Sequence, residues 1–186
     1  MNKNDRRVKK TKKALQYALA ELMADKELRC ITVQELVDKA DIHRATFYSH
    51  YHDVYDLYEQ LEKNVISELD EIITNDPTHI YEGVYKSLID YIFDNSALFH
   101  MFLSGKGNAG FQNNVYELIE KKYLNIWLYE EHRTVISDEM RFLTTYHIHG
   151  CLAIISAWVK ENFSHSKEEI LALIRKVNDN FDKISV

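Results

Sequence analysis

Residues 31–57 read ITVQELVDKADIHRATFYSHYHDVYDL. Thr32 precedes an apolar run and Glu35 follows three residues later, the T-x-x-E spacing in which each side chain satisfies a backbone N–H of the other at a helix start. This predicts a helix from Val33, with Val33, Leu36, Val37 and Ala40 on its apolar face. Asp41 falls where the chain must turn, and a short polar residue tolerates the left-handed conformation of such turns. A second helix is predicted from His43 to Tyr51. In it Ala45 is small, Phe47 and Tyr51 face inward at i, i+4, and His43, Arg44, Thr46, Tyr48 and His50 face mainly outward. Two short helices joined by a tight turn make a helix-turn-helix, whose second helix typically enters the DNA major groove.

The A-x-I-x-R-x-T-F-Y-x-x-Y core of this stretch, preceded by an amphipathic helix with basic residues, resembles the DNA-binding head of the TetR/AcrR family of transcriptional regulators. Asp41 stands where that family usually has glycine, His43 where it often has Ser or Thr, and Val54 where it often has a lysine that contacts phosphate. The resemblance implies an all-α fold: a three-helix helix-turn-helix head followed by a helical-bundle domain for ligand binding and dimerisation. It implies a sequence-specific regulator, a repressor in the usual case, that binds a palindromic double-stranded operator as a homodimer. Residues 1–52 are expected to bind DNA, 53–74 to form a connecting helix, and 75–186 to regulate and dimerise. A small tilt of the connecting helix would change the separation of the two recognition helices.

Composition agrees with a helical, globular chain. Of 186 residues 46% are hydrophobic, with one proline and five glycines, too few breakers for anything but long helices. Net charge is −6 but unevenly spread. Residues 1–52 carry 11 Lys/Arg against 7 Asp/Glu, so +4, and residues 53–186 carry 12 against 22, so −10. A basic head on an acidic body suits an anionic partner at one end only. Cys30 and Cys151 are far apart without metal spacing, which fits a reducing cytoplasm. Met1 to Lys13 is charged and leads into no uninterrupted apolar core, so no signal peptide is expected. The most apolar run, Ile148 to Val159, is short for a bilayer, and no membrane partner is expected.

Lys3, Arg6, Arg7, Lys9, Lys10, Lys12 and Lys13 read as a basic arm on DNA, leading into a helix from about Arg7 to Met23 with Ala14, Leu15, Ala18, Leu19 and Leu22 buried. Asp53 and Asp56 read as a capping pair for a helix to about Thr74. Asn75-Asp76-Pro77 marks a boundary before a helix to about Phe93. Ser96 to Leu103 reads as a short, very apolar helix. Gly105-Lys106-Gly107-Asn108-Ala109-Gly110 matches G-x-G-x-x-G literally, but no strand precedes it, and a loop between helices is the better reading. Ser137 and the Ser166/Glu169 pair cap the last two helices, and the first of these is apolar nearly all round between Ile148 and Val159.

The expected DNA-contacting set is Lys9, Lys10, Lys13, Thr32, His43, Arg44, Ala45, Thr46, Tyr48 and His50; Arg reads guanine bidentately, Thr meets a thymine methyl or a phosphate, and Tyr donates to phosphate. Two terminal helices with so much apolar surface suggest self-association. TetR-like proteins pair these helices into a four-helix interface, here expected to use Ile148, Leu152, Ile155, Trp158, Leu173, Val177 and Phe181. Tyr85, Phe102, Tyr123, Trp127 and Tyr146 are candidates to line a pocket for a small apolar or aromatic effector, against the plainer reading that they fill the core. His147 and His149, two apart on a helix, point to different faces, and His147 with Cys151 gives only two ligands, so no metal is expected. No nucleophile elbow or P-loop is present; neither an enzyme nor a cofactor is expected. Two alternatives stand beside the ligand-controlled regulator: a DNA-bound co-regulator controlled by a protein partner, and a helical ligand-binding protein that no longer binds DNA.

Overall fold

The computed structural model describes residues 3–75, 82–107, 110–130 and 132–182, and all of its regular structure is helical. Nine α-helices run through the described residues: α1 Lys3–Asp25, α2 Val33–Ala40, α3 Arg44–Tyr48, α4 Val54–Asn75, α5 Glu82–Asp94, α6 Ser96–Leu103, α7 Gly110–Glu130, α8 Asp138–Lys160 and α9 Lys167–Asp182, with a 3-10 turn at Leu28–Cys30. The chain divides into two compact units. One comprises residues 1–65 with 96–109, the other residues 66–95 with 110–186.

Local chemistry sets most helix starts. Thr32 and Glu35 form the reciprocal box: the Glu35 amide donates to Thr32 Oγ1 at 3.2 Å, and the Thr32 amide donates to Glu35 Oε2 at 3.0 Å. Ser166 and Glu169 repeat it at α9, with distances of 3.2 and 2.8 Å. At α4 the Asp56 amide donates to Asp53 Oδ1 and the His52 amide to Asp56 Oδ2, both at 2.8 Å. Ser137 accepts from the Met140 amide at the start of α8. Such caps satisfy amides that a helix start leaves unpaired. Thr32→Ala is expected to lower stability by about 1 kcal/mol in chemical denaturation; an unchanged midpoint would contradict the box.

In the first unit, α1 packs along both α2 and α6. Leu15, Leu19 and Met23 of α1, Leu36 of α2, Phe47 of α3, Leu57 and Tyr58 of α4 and Met101 of α6 are at most 2% exposed. The short apolar α6 thus belongs to this unit, because its Leu98, Phe99, Met101 and Phe102 are buried there. The turn after it is tied to the head by the Leu28 amide, which donates to the Lys106 carbonyl at 3.0 Å, and by the Lys106 ammonium on the Ala24 carbonyl. Two of the glycines singled out in sequence have steric reasons. Gly105 has φ +76°, and a Cβ on Gly107 would lie 2.3 Å from the Tyr58 hydroxyl oxygen.

In the second unit, α8 packs on α7 and α9, and α5 packs on α9. Trp158 is 1% exposed, stacked on Phe93 and edge-on to Phe163, and its indole donates to the His165 carbonyl at 2.8 Å. Lys167 binds Asp90 at 2.5 Å and ties α9 to α5. The helix α8 is the one described element long and apolar enough to cross a membrane, with mean hydropathy 1.3; the twelve-residue apolar run is only its core.

Several boundaries differ from expectation. The basic N-terminal residues lie on α1, which is already helical at Lys3, so they form a helix face rather than an arm. The recognition helix is shorter than expected, since the chain leaves it at Ser49. The Asp76-Pro77 boundary lies outside the described residues.

Candidate nucleic-acid interface

The turn between α2 and α3 is made by Asp41, whose φ 53° and ψ 51° are left-handed. The Ile42 amide donates to the Val37 carbonyl at 3.0 Å, closing the turn. His43 occupies the cap position of α3 but makes no side-chain cap hydrogen bond. Phe47 is fully buried, with Tyr48 edge-on at 5.4 Å and Tyr51 at 5.7 Å. One anchored ring therefore sets the rotation of a five-residue helix, and Arg44, Ala45 and Tyr48 are left exposed with Thr46 half-buried. His43 is exposed and His50 is half-buried beside Tyr51.

Arg44 and Tyr48 act on each other. The guanidinium lies 5.5 Å from the Tyr48 ring centroid and donates to its hydroxyl at 3.2 Å. Stacking of this kind holds a long side chain in few rotamers. The hydroxyl and the amide of Thr32 are both engaged with Glu35 at the start of α2.

Electrostatics favour an anion on this face. Glu35 is paired with Lys26 at 2.5 Å, Glu21 with Lys39 at 2.8 Å and Glu27 with Arg29 at 2.6 Å. Lys26 and then Thr32 hold the Glu35 carboxyl down at about 2. These acids are matched within the head, whereas Arg6, Arg7, Lys9, Lys10, Lys12 and Lys13 are exposed on α1. Lys13 lies 5.6 Å from the ring centroid of the half-exposed Tyr17. Exposed cations on α1 can neutralise phosphates, and an exposed Arg–Tyr pair on α3 can reach base edges.

The five candidate pocket residues do not come together. Tyr85 and Tyr123 share a cavity of about 30 Å³ with Ile73, Val84, Leu88, Ile119 and Ile126. Trp127 is half-buried, with Arg133 5.5 Å from its ring centroid. Phe102 belongs to the first unit, against Tyr58, and Tyr146 is 74% exposed on α8. A larger cleft, about 490 Å³, lies in the first unit, where Glu27, Arg29, Glu59 and Lys106 give its wall mixed charge.

The expected dimer residues divide as well. Ile148, Ile155, Trp158 and Phe181 are at most 3% exposed inside the subunit, Leu152 and Val177 are half-buried, and Leu173 is 46% exposed. A helix apolar on all sides turns its bulkiest stripe into its own core. The outward stripe of α8 is instead Phe142, Tyr146, Gly150, Ala153 and Ala157. His147 and Cys151, the i, i+4 pair, are both buried on α8, and Thr144, which the sequence reading did not single out, is buried one turn before them. His149 is elsewhere, stacked on Tyr116 at 4.0 Å, and no group of three or more His, Cys, Asp or Glu converges among the described residues.

Comparison with known proteins bears on this arrangement. The family described as the TetR-type transcriptional regulator C-terminal region matches residues 79–180. Over 71 residues, 38% of this chain, the sequence is 35% identical to the uncharacterized HTH-type transcriptional regulator YxbF of Bacillus subtilis (strain 168), and the match spans 19% of that relative's length. Among solved structures, the dihydroxyacetone kinase operon activator DhaS is similar with a TM-score of 0.61 at 20% identity, over 92% of this chain and 96% of that one. The transcriptional regulator FadR of Bacillus subtilis, solved in complex with stearoyl-CoA, is similar with a TM-score of 0.65 at 16% identity, over 90% and 96% of the two chains. At these identities the solved structures speak for the fold, and the family match covers more than half of the sequence. This chain belongs to the TetR family of transcriptional regulators.

Proposed function

We propose that this chain is a repressor that binds a two-fold symmetric operator as a homodimer and releases it when the C-terminal part binds an effector. Residues 1–52 contact DNA, α4 connects, and the remainder senses and dimerises. The observation that carries the reading is the exposed Arg44–Tyr48 pair on a helix fixed by buried Phe47, in the same unit as the exposed cations of α1. Arg44 with Ala45, Thr46 and Tyr48 meets base edges and nearby phosphates. Lys9, Lys10, Lys13, His43 and His50 add backbone contacts.

The test is binding of the purified protein to DNA from its own upstream region, with scrambled competitor, across a salt series. Specific binding that weakens steeply with salt, at two subunits per site, is expected. Arg44→Ala should cost about 1–3 kcal/mol in operator affinity and relax preference at one position of each half-site. Equal weakening on all sequences would show that Arg44 touches only phosphate.

A second reading, control by a protein partner, is favoured by the size of the cavity between Tyr85 and Tyr123, about 30 Å³. The structurally similar FadR was solved with stearoyl-CoA. A ligand of that length has no room in this cavity, so an effector of this chain is small or is not housed there.

A further inference from the structure

We propose that Tyr48 is a positioning residue for base reading: its ring and hydroxyl hold the Arg44 guanidinium along α3, so that discrimination at the Arg44 position depends on a side chain that itself reads no base. The inference rests on the proposed reading of Arg44 as a base contact. It gives Tyr48 a task that a phosphate contact would not.

The geometry is a relay of three side chains on one short helix. Phe47 is fully buried, and the Tyr48 ring stands edge-on to it at 5.4 Å and 82°. The tyrosine is thereby held against the core while 48% of it stays exposed. The Arg44 guanidinium lies over that ring, 5.5 Å from its centroid, and donates from Nη2 to the phenol oxygen at 3.2 Å. One contact is to the ring and the other to its tip, and together they set both the direction and the reach of the guanidinium. Among the described residues no carboxylate pairs with Arg44, so the tyrosine is what holds it.

The physical effect is on order. A loose arginine samples many rotamers, and fixing it costs affinity wherever a base edge is read. A guanidinium already laid on Tyr48 loses less. One N–H donated to the phenol oxygen leaves the rest of the fork to meet a guanine edge. The Tyr48 hydroxyl keeps its own hydrogen and can donate it to a phosphate, but such a bond forms on any sequence. The two roles therefore separate in one quantity, the ratio of affinities for the operator and for an operator with one base pair exchanged. A phosphate contact cancels in that ratio, and so does any loss of folded protein. The positioning of Arg44 does not cancel.

The test is gel-shift titration of the full chain on the operator and on half-sites with each base pair exchanged in turn. The proteins are wild type, Arg44→Ala, Tyr48→Phe, Tyr48→Leu and the double variant. At the position where Arg44→Ala relaxes preference, Tyr48→Leu is expected to lower the ratio about tenfold, and Tyr48→Phe, which keeps the ring, about threefold. With Arg44→Ala already present, Tyr48→Leu should leave the ratio unchanged, because Tyr48 acts through Arg44. A ratio kept by Tyr48→Leu, with affinity reduced equally on all sites, would overturn the proposal in favour of a phosphate contact. A ratio that rises would mean that Tyr48 holds the arginine away from the base, and overturns it too. A ratio lowered equally with and without Arg44 would give Tyr48 its own base contact, again against the proposal. If Arg44→Ala alone alters no ratio, the base reading by Arg44 fails and the positioning role falls with it. That failure shows in the single variant and is read apart from the Tyr48 results.

Discussion

Ala153→Arg is expected to give a folded monomer that has lost specific operator binding. On α8, residues 142, 146, 150, 153 and 157 fall within an arc of about 80° at the helical period. Phe142 and Tyr146 are each 74% exposed, and Ala153 and Ala157 are also exposed. A Cβ built on Gly150 meets nothing within 4 Å. Small residues in the middle of such a stripe let a second helix approach to about 8–10 Å, while aromatics at one end supply area to bury. In a two-fold pairing every contact occurs twice, so arginine within the stripe places two unpaired charges in a desolvated contact. A monomer meets one half-site, and affinity should fall at least about 100-fold, toward the non-specific range. Sedimentation gives the mass, circular dichroism the fold, and gel shift the affinity. A variant that remains dimeric would place the interface elsewhere. Ile148→Ala is the contrasting substitution. Its side chain is 1% exposed inside the subunit, so it should cost about 2–5 kcal/mol of stability and leave the protein dimeric.

That contrast shows which features could be read from sequence. The caps at Thr32/Glu35, Asp53/Asp56, Ser137 and Ser166/Glu169, the left-handed Asp41 and the bounds of α6 were all legible, because each depends on residues within one turn. Phe47 as an anchor followed from helical spacing alone. The facing of α8 did not. When apolar residues occupy nearly the whole circumference, periodicity carries no direction, and only packing on α7 and α9 decides that Ile148, Ile155 and Trp158 point in while Tyr146 points out. The grouping of aromatics failed for the same reason: Phe102 packs with Tyr58 through a placement of α6 that no local signal encodes. Thr32 reads in sequence as a cap and as a DNA contact; its cap role is local and is seen in its bonds to Glu35.

His147 makes the stability of the chain acid-sensitive. Burial lowers its pKa from the ordinary 6.5 to about 4, with no charged group contributing. The groups packed against it are Tyr123 from α7 and Phe181 from α9, with Thr144 and Cys151 on its own helix face. The fold therefore prefers the neutral imidazole. Its contribution is fully present above pH 6.5 and is lost as pH falls from there toward 4, because the unfolded chain takes up the proton first. Between pH 7.5 and 4.5 this amounts to about 2 kcal/mol. Denaturation midpoints of the wild type and His147→Phe should diverge by that amount across the window, the variant being the less pH-dependent. Carboxylates that titrate near the acid end of the window are common to both proteins and cancel in the comparison. Parallel curves would mean that water or a neighbouring group stabilises the imidazolium in place. Divergence would show that the imidazole, packed between Tyr123 and Phe181, is buried and neutral at ordinary pH.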